Sequence, residues 1–510
     1  MKIKFTLLPR LVSLILPIGL LVCPNVALAF DTGHHSDLTR EALQDEGFSN
    51  TPIEVAQVEN WLVDYFSSSP TSQIKSDVEK LHFDNLFSTS QIRNYWGQLT
   101  VNTKNAVQQA ARENDPLKCL AVLGISLHAV QDFYTHSNWV ETHPPLGNAY
   151  RTDTWFDSVP LDNLFTGSYP NLRPGAEQLH GDYNNGLNHD SYVRPRWEQS
   201  YVFAYAASRQ WVNAVHSWVN EVNPSFWQSV QKFEVSGADR SALDFDLEAA
   251  YRISEWIAVS GADGHWKGNR SGSNTDFVPF ALRWATAADS QFLKEFKVRK
   301  IHRLLSENLS GDSSPVPQVP PTIALPTVPH INLDRRAIIV RTLHVAEKDD
   351  VGLFEQKIDP LGKADFYAKI TVAGQTFTEA MQLDRSDVSP AWSTIKFIPT
   401  ALTSVSIHYE LWDEDGGTRG DDDHCDINQI AGKQDLDLTF LVGNQLLAGD
   451  IAGVRDSESN AVQSEGRKPD KDRAIVRFYV TEQSLNFPAQ PAASLPTRTG
   501  VVLQKLYEDR

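Results

Sequence analysis

Sulfur is scarce in this chain: 510 residues hold three cysteines and two methionines. Cys23 lies near the N-terminus, and the other two, Cys119 and Cys425, stand one in each half. Two such distant thiols make no disulfide framework, even for an exported protein. Positive charge is short as well, with 46 Lys and Arg against 64 Asp and Glu and a formal net charge of −18. That surplus repels a phosphate backbone, so no nucleic acid is expected as a partner, whereas cations suit it. Beyond the first 30 residues no segment stays apolar long enough to span a bilayer, which argues against an integral membrane protein.

The one long apolar run, Leu7 to Val22, follows Lys2 and Lys4 and precedes Ala27-Leu28-Ala29. A charged start, an apolar middle and a small-residue exit predict a secretory signal peptide over residues 1–29. Pro9, Arg10 and Pro17 interrupt the run and make it a poor spanning helix. Cleavage after Ala29 leaves Phe30 as the mature N-terminus of a secreted or periplasmic protein. What remains is too long for one core and predicts two or more domains.

Residues 30–308 read as an all-α helical bundle. Apolar residues recur at helical spacing in Asp37–Leu43, Glu54–Phe66, Gln91–Arg112, Pro116–Thr135, Trp197–Val222 and Ala242–Val259. The longest loop, Thr142–Arg196, is dense in Gly, Pro, Asn and Asp, and a loop of that length tends to be functional. A second loop spans Gly261–Gly272.

His128, Asp132 and His136 are spaced four and four, and each helical step of four turns about 40° past a full circle. All three therefore lie on one stripe. Two imidazoles and a carboxylate on one face form a ligand set for a borderline divalent cation such as zinc. The plainer reading is a core helix with hydrogen-bonded polar residues. A separate apolar set, Leu123, Leu127, Val130 and Tyr134, already serves the core and favours the metal. Further candidates flank the other helices: His34, His35 and the free amine of Phe30, Asp64 among aromatics, His82 beside Asp84, His189 beside Asp190, and His216. Each alone suits a cap, a turn or an exposed histidine; together with the His128 helix they suit a multinuclear site.

From residue 309 to 333 a proline-rich run predicts a semi-rigid, extended linker. Beyond it Ala337–Leu343, Phe366–Val372, Ser404–Leu411 and Ala474–Val480 alternate in β-branched style and predict a β-sandwich over residues 334–483, followed by a tail, 484–510. Asp359 and Asp365 precede one strand, Asp413 and Asp415 end another, and Asp421 follows. Oxygen ligands at the ends of adjacent strands suit calcium. These five aspartates resemble the calcium-binding loops of a C2 domain, and the resemblance implies calcium-dependent docking on phospholipid membrane.

A second resemblance covers most of residues 30–300. Leu127-His-Ala-Val-Gln-Asp-Phe-Tyr-Thr-His-Ser-Asn-Trp-Val-Glu141, His82-Phe-Asp-Asn85 and Gly186-Leu-Asn-His-Asp-Ser191 resemble the signature of the heterokaryon-incompatibility C (Het-C) family. That family is related to the zinc-dependent phospholipase C and single-strand nuclease superfamily, all-α proteins with a three-metal cluster. The resemblance implies up to three ions, zinc foremost, on Phe30, His35, Asp64, His82, His128, Asp132, His136 and His189, with Asp132 bridging. It makes Asp64 and Asp132 the catalytic carboxylates that orient or deprotonate water. Asn138 matches the asparagine after the second histidine and, with Glu141, is a candidate substrate contact. The superfamily's last ligand pair, a histidine four residues before an acid, has no clean match, since Val193 follows His189 and Asn220 follows His216.

Clustered divalent ions acidify bound water and clamp the free oxygens of a phosphodiester. With a lipid-docking module attached, the expected function is a secreted, metal-dependent phospholipase C that cleaves between glycerol and phosphate. The alternatives are a non-enzymatic membrane-binding, incompatibility or toxin-like protein with structural metals, and a metal-dependent nuclease, against which the acidic charge weighs.

Overall fold

The structure is a computed structural model that describes residues 32–68, 75–157, 163–169, 171–180, 186–192, 194–259, 300–309, 331, 333–348, 363–379, 381–382, 385–413, 422–451, 461–467 and 472–486. The signal-peptide segment, Phe30, the loop 261–272, nearly all of the proline-rich run, Asp359, Asp415 and Asp421 lie outside the described residues.

The N-terminal part is helical: α1 Thr32–Asp45, α2 Asn50–Ser68, α3 Lys75–Val78 with a 3₁₀ turn Glu79–His82, α4 Thr89–Glu113, α5 Pro116–His136, α6 Trp139–Thr142, α7 Trp197–Asn220, α8 Phe226–Gln231, α9 Ala238–Val259 and α10 Lys300–Ser306. Local chemistry sets the ends of the central helix. Asp115 caps α5 by accepting from Lys118 N at 3.0 Å, and Pro116, which has no N–H to leave unpaired, takes the first helical position. From Cys119 to His136 every residue of α5 is buried. A helix buried all round belongs in the middle of a bundle, and α2, α4 and α7 pack around it. Polar residues on such a helix need partners, which is what makes its histidines and aspartate informative. Among the described residues no helix is long and apolar enough to cross a membrane.

The C-terminal part is a β-sheet region: β2 Arg335–Glu347, β3 Phe366–Val372, β4 Gln375–Thr378, β5 Asp387–Val388, β6 Ser393–Pro399, β7 Ser404–Asp413, β8 Asp423–Cys425, β9 Leu436–Leu441, β10 Leu446–Gly449, β11 Val462–Glu465 and β12 Ala474–Asn486. One sheet has β12 beside β2, with β6 and β5 on β2 and β11 on β12; the other runs β10-β9-β7-β3-β4, with β8 on β7. Ile338, Val340 and Phe478 of the first and Ile370, Tyr409 and Leu411 of the second belong to one apolar core. Tyr409 spans it, with its ring 5.3 Å from Phe478 and its hydroxyl 2.8 Å from Thr342 Oγ1.

Two boundaries differ from expectation. A short strand, β1 Ala149–Arg151, interrupts the all-α reading and pairs in parallel with Ser484–Asn486, so β12 runs into what was expected to be tail. The two parts are also packed directly together. Phe397 of β6 stacks on Tyr205 of α7 with centroids 3.7 Å apart, and Arg335 holds both carboxylate oxygens of Asp45 at 3.0 Å. Ala337, Ile339, Ile395 and Phe397 are members of the helical core. The face of the first sheet that looks away from its own core is thus buried by helices.

Candidate metal centre

Five of the expected ligands converge from four elements. His128 and Asp132 come from α5, His35 from α1, Asp64 from α2 and His82 from the 3₁₀ turn. Asp132 stands between them: its Oδ1 is 3.0 Å from His35 Nε2, and its Oδ2 is 3.1 Å from both His82 Nδ1 and His128 Nε2. Asp64 Oδ1 lies 3.6 Å from His128 Nε2 and 3.8 Å from His82 Nδ1. His35, Asp64, His128 and Asp132 are wholly buried and His82 is 7% exposed. Gly124 lets α2 approach this closely, because a Cβ there would stand 2.5 Å from the Ala56 carbonyl oxygen.

A shell of amides orients the imidazoles. His128 Nδ1 donates to Asn60 Oδ1 at 3.0 Å and His35 Nδ1 donates to Gln131 Oε1 at 2.6 Å. An amide oxygen can only accept, so both rings carry the proton on Nδ1 and present the Nε2 lone pair to the centre. Asn60 Nδ2 in turn donates to Gln131 Oε1 at 3.1 Å and to Thr39 Oγ1 at 3.0 Å, which fixes the orientation of both amides.

A second group adjoins the first. His136 Nδ1 donates to the His82 carbonyl at 2.6 Å, so its Nε2 faces Asp190 Oδ1 at 3.2 Å. His180 Nε2 stands 3.8 Å from Asp190 Oδ2, and Asp84 Oδ1 is 3.4 Å from His136 Nδ1. Between His82 and Asp84, Phe83 takes left-handed backbone (φ 57°), a strain of about 1–3 kcal/mol offset by full burial of its ring against Tyr95, Trp96 and Phe133. The long loop delivers His180 and Asp190. His180 N donates to Ser168 O at 2.9 Å and Asn188 N to His180 O at 3.0 Å. Gly186, at φ 86°, sits where any Cβ would stand 2.2 Å from the Leu179 carbonyl oxygen.

His189 is placed differently from expectation. Its Nδ1 donates to Pro195 O at 2.7 Å and its Nε2 pairs with Glu141 at 3.1 Å, so it ties the loop to α6 and leaves the ligand position to His180. Glu141 also pairs with Arg196 at 3.2 Å. Asn138, expected to meet substrate, clamps the same loop through Asn163 O and Phe165 N, each at 3.0 Å. His34 packs against Trp197, with centroids 4.8 Å apart. His180 was missed because no acid follows it at helical spacing; its partner Asp190 lies ten residues on, across a loop.

The charges favour cation ligation at His128 and His180, whereas His136, against the effect of burial, is held well above its ordinary range by Asp84, Asp190 and Asp132. Burial drives His128 down to about 3 and His180 down to about 3, so both rings are neutral and free to ligate at neutral pH. Burial opposes ionisation of Asp132, yet the neighbouring His128, His136 and His35 hold it well below the usual carboxylate range. Asp84 is pushed up to about 7, first by burial and then by Asp132 and Asp190. Asp190 Oδ2 is buried and makes no hydrogen bond among the described residues. Buried lone pairs converging in this way suit divalent cations, and the residues fit the zinc expected from the sequence. The described atoms of His35, His128 and Asp132, of Asp64, His82 and His128, and of Asp84, His136 and His180 form three such groups.

In the β-sheet region, Asp365 and Asp413 stand at neighbouring strand ends: Phe366 is in register with Asp413, and the Asp365 amide donates to the Asp413 carboxylate.

A protein-family model described as "VWA7 N-terminal domain" matches residues 52–154, the stretch that carries Asp64, His82, His128, Asp132 and His136. No curated protein matches the chain. Among solved structures, human GIVD cytosolic phospholipase A2 in complex with an inhibitor and terbium chloride is similar over 29% of this chain and 17% of its own, at 13% identity and a TM-score of 0.18. A C2 domain protein from Ramazzottius varieornatus is similar over 32% of this chain and 96% of its own, at 12% identity and a TM-score of 0.19. The paired C2 domains of Extended-Synaptotagmin 2 are similar over 29% of this chain and 40% of theirs, at 11% identity and a TM-score of 0.18. Likenesses this faint decide neither fold nor function.

Proposed function

We propose that this chain is an exported, metal-dependent phosphodiester hydrolase of the phospholipase C type, akin to Het-C proteins, that acts on membrane phospholipids. The observation that carries the reading is the convergence of His35, Asp64, His82, His128 and Asp132 from four elements, with His136, His180, Asp84 and Asp190 beside them. His35, Asp64, His82, His128, Asp132, His136, His180, Asp84 and Asp190 would hold the ions. Divalent ions there would supply Lewis acidity towards a phosphate and acidify a water molecule. Asp132 offers one oxygen to the His35 side and the other to the His82 and His128 side, as a bridging carboxylate must. Asn60 and Gln131 hold the imidazoles in the ligating tautomer. Asp64, with Oδ1 3.8 Å from His82 Nδ1 and 3.6 Å from His128 Nε2, would orient water.

The β-sheet region is read as a C2-like unit. Asp365 and Asp413, with Asp359, Asp415 and Asp421, supply oxygen ligands for calcium, which would turn an acidic edge into one that anionic lipid attracts.

The burial of the centre favours a second reading, in which the metals are structural and the protein binds membranes without cleaving lipid. Metal analysis of the mature protein, paired with head-group release from phosphatidylcholine and phosphatidylethanolamine vesicles, separates the two. Two or more metals per chain, with turnover lost in Asp132→Ala while the fold survives, establishes the hydrolase. Bound metal without turnover of any phosphodiester leaves the structural reading.

A further inference from the structure

Strand β7 carries a second constellation of ligand atoms, on the face of its sheet away from the sandwich core. Val405, Ile407, Tyr409 and Leu411 are buried in that core, and the alternate residues His408, Glu410 and Trp412 share the opposite face. Register brings Asp437 of β9 beside His408, and His424 of β8 beside Trp412. Asp435 enters β9 next to Leu436, the partner of Tyr409.

The hydrogen bonding here has the form of a prepared metal site. His408 Nδ1 is 2.8 Å from Asp437 Oδ1, a carboxylate that fixes the tautomer and leaves the Nε2 lone pair directed at other acceptors. Those acceptors are Glu410 Oε1 at 3.2 Å and Asp435 Oδ2 at 3.9 Å. The other oxygen of Asp435 is 2.5 Å from His424 Nε2, so this one carboxylate lies between two imidazoles. Both remaining groups are held from behind. Trp412 Nε1 donates to Glu410 Oε2 at 3.2 Å, and the indole stacks on His424 with centroids 4.2 Å apart and planes 6° from parallel. Lone pairs facing one another at these distances repel unless a cation sits between them. A proton on each imidazole is one solution; a divalent ion is the other.

We propose that His408, Glu410 and Asp435 form a binding site for a borderline divalent cation of the zinc class, separate from the helical centre, with Asp437 and Trp412 as its orienting shell and His424 on the second oxygen of Asp435. One imidazole with two carboxylates matches zinc in donor type and leaves a fourth position to water, whereas calcium would take oxygens alone. The ion would tie the entry to β9 onto β7, the strand that ends at Asp413. Ligands lie on paired strands, so little ordering is left for the ion to impose. The inference stands on the β-sheet region alone and does not depend on what the helical centre does.

Histidine footprinting tests it on the whole chain. The wild-type protein, apo or in zinc buffered by citrate, is treated with diethyl pyrocarbonate, and each histidine is read by peptide mass mapping. His408 and His424 are 36% and 26% exposed at their side chains, so both are open to the reagent without zinc. Zinc is expected to slow modification of His408 severalfold, in the wild type and equally in Asp132→Asn, whose helical centre is impaired. In Asp435→Asn that protection is lost at His408 and one zinc per chain disappears, while His344, on β2 of the other sheet, behaves as before. Unchanged reactivity of His408 on zinc addition to the wild type overturns the proposal, and so does protection that survives in Asp435→Asn. The wild-type measurement decides even if that variant fails to fold.

Discussion

Glu41 of the first helix reaches across to the β-sheet region, where its Oε1 lies 3.1 Å from Lys396 Nζ. The carboxylate is 1% exposed. Burial pushes it up to about 7, against the pull of Lys396 and with the nearby Asp37 adding to the rise. The folded protein therefore keeps a proton on Glu41 over a pH range in which the unfolded chain has released it. Stability that depends on that proton is full below about pH 4.5, falls as pH rises towards 7 and is gone above it, a change of roughly 3 kcal/mol. Glu41→Gln is expected to flatten that part of the profile. Urea titrations at pH 4.5 to 8 measure it; parallel profiles for wild type and variant refute it.

Glu41 and His35 share one helix and lie six residues apart, so the seam between the two parts and the metal centre are built from the same element. Phe397, stacked on Tyr205 and 3% exposed, is the apolar key of that seam. Phe397→Ala removes a buried ring and leaves a cavity, which costs about 3–5 kcal/mol. Thermal unfolding is expected to show both parts destabilised together. A loss confined to the β-sheet region would mean that the seam carries little energy.

Much of this arrangement was legible in the sequence, and the parts that were not have more than one cause. The central helix was readable because a four-and-four spacing survives any tertiary context, and Asp64 was readable because a carboxylate among aromatics needs a partner. Strands β2, β3, β7 and β12 were visible by alternation, while β5, with two residues, and β8, with three, are too short to show a period, and β6 and β9, with seven and six, went unread. His180 and Asp190 are brought together by a loop ladder of backbone hydrogen bonds, and no local pattern encodes such a pairing. His189, adjacent to Asp190, looked equivalent until the Pro195 carbonyl claimed its Nδ1. Glu41 and Lys396 stand 355 positions apart, so each reads as an ordinary surface charge until the fold joins them.

The exchange of His189 for His180 as ligand has a direct consequence. His180→Ala is expected to lower the metal content of the mature protein by one ion and to abolish turnover if the proposed hydrolase reading holds. His189→Ala is expected to retain the metal and loosen the 142–196 loop, since it loses the Glu141 and Pro195 contacts. Metal analysis after gel filtration, with limited proteolysis of the loop, reads both effects. Equal metal loss in the two variants would return His189 to the ligand set.

The amide shell makes a sharper test of the metal centre than the ligands themselves, because it touches no ion. Asn60 accepts from His128 Nδ1 and donates to Gln131, which accepts from His35 Nδ1, so one side chain steadies two imidazoles. Asn60→Ala leaves a buried His128 Nδ1–H without its acceptor and releases the ring to the other tautomer. Removing an orienting partner of this kind weakens metal binding by about 10–100-fold. Asn60→Asp keeps the acceptor for His128 Nδ1 but loses the donor to Gln131 and Thr39, so it is expected to weaken metal binding less than Asn60→Ala does. Competition against a chromophoric chelator measures both constants. If the Ala variant keeps wild-type affinity, the Nδ1 bonds are ornaments of a hydrogen-bonded core, and the case for a metal centre on α5 falls with them.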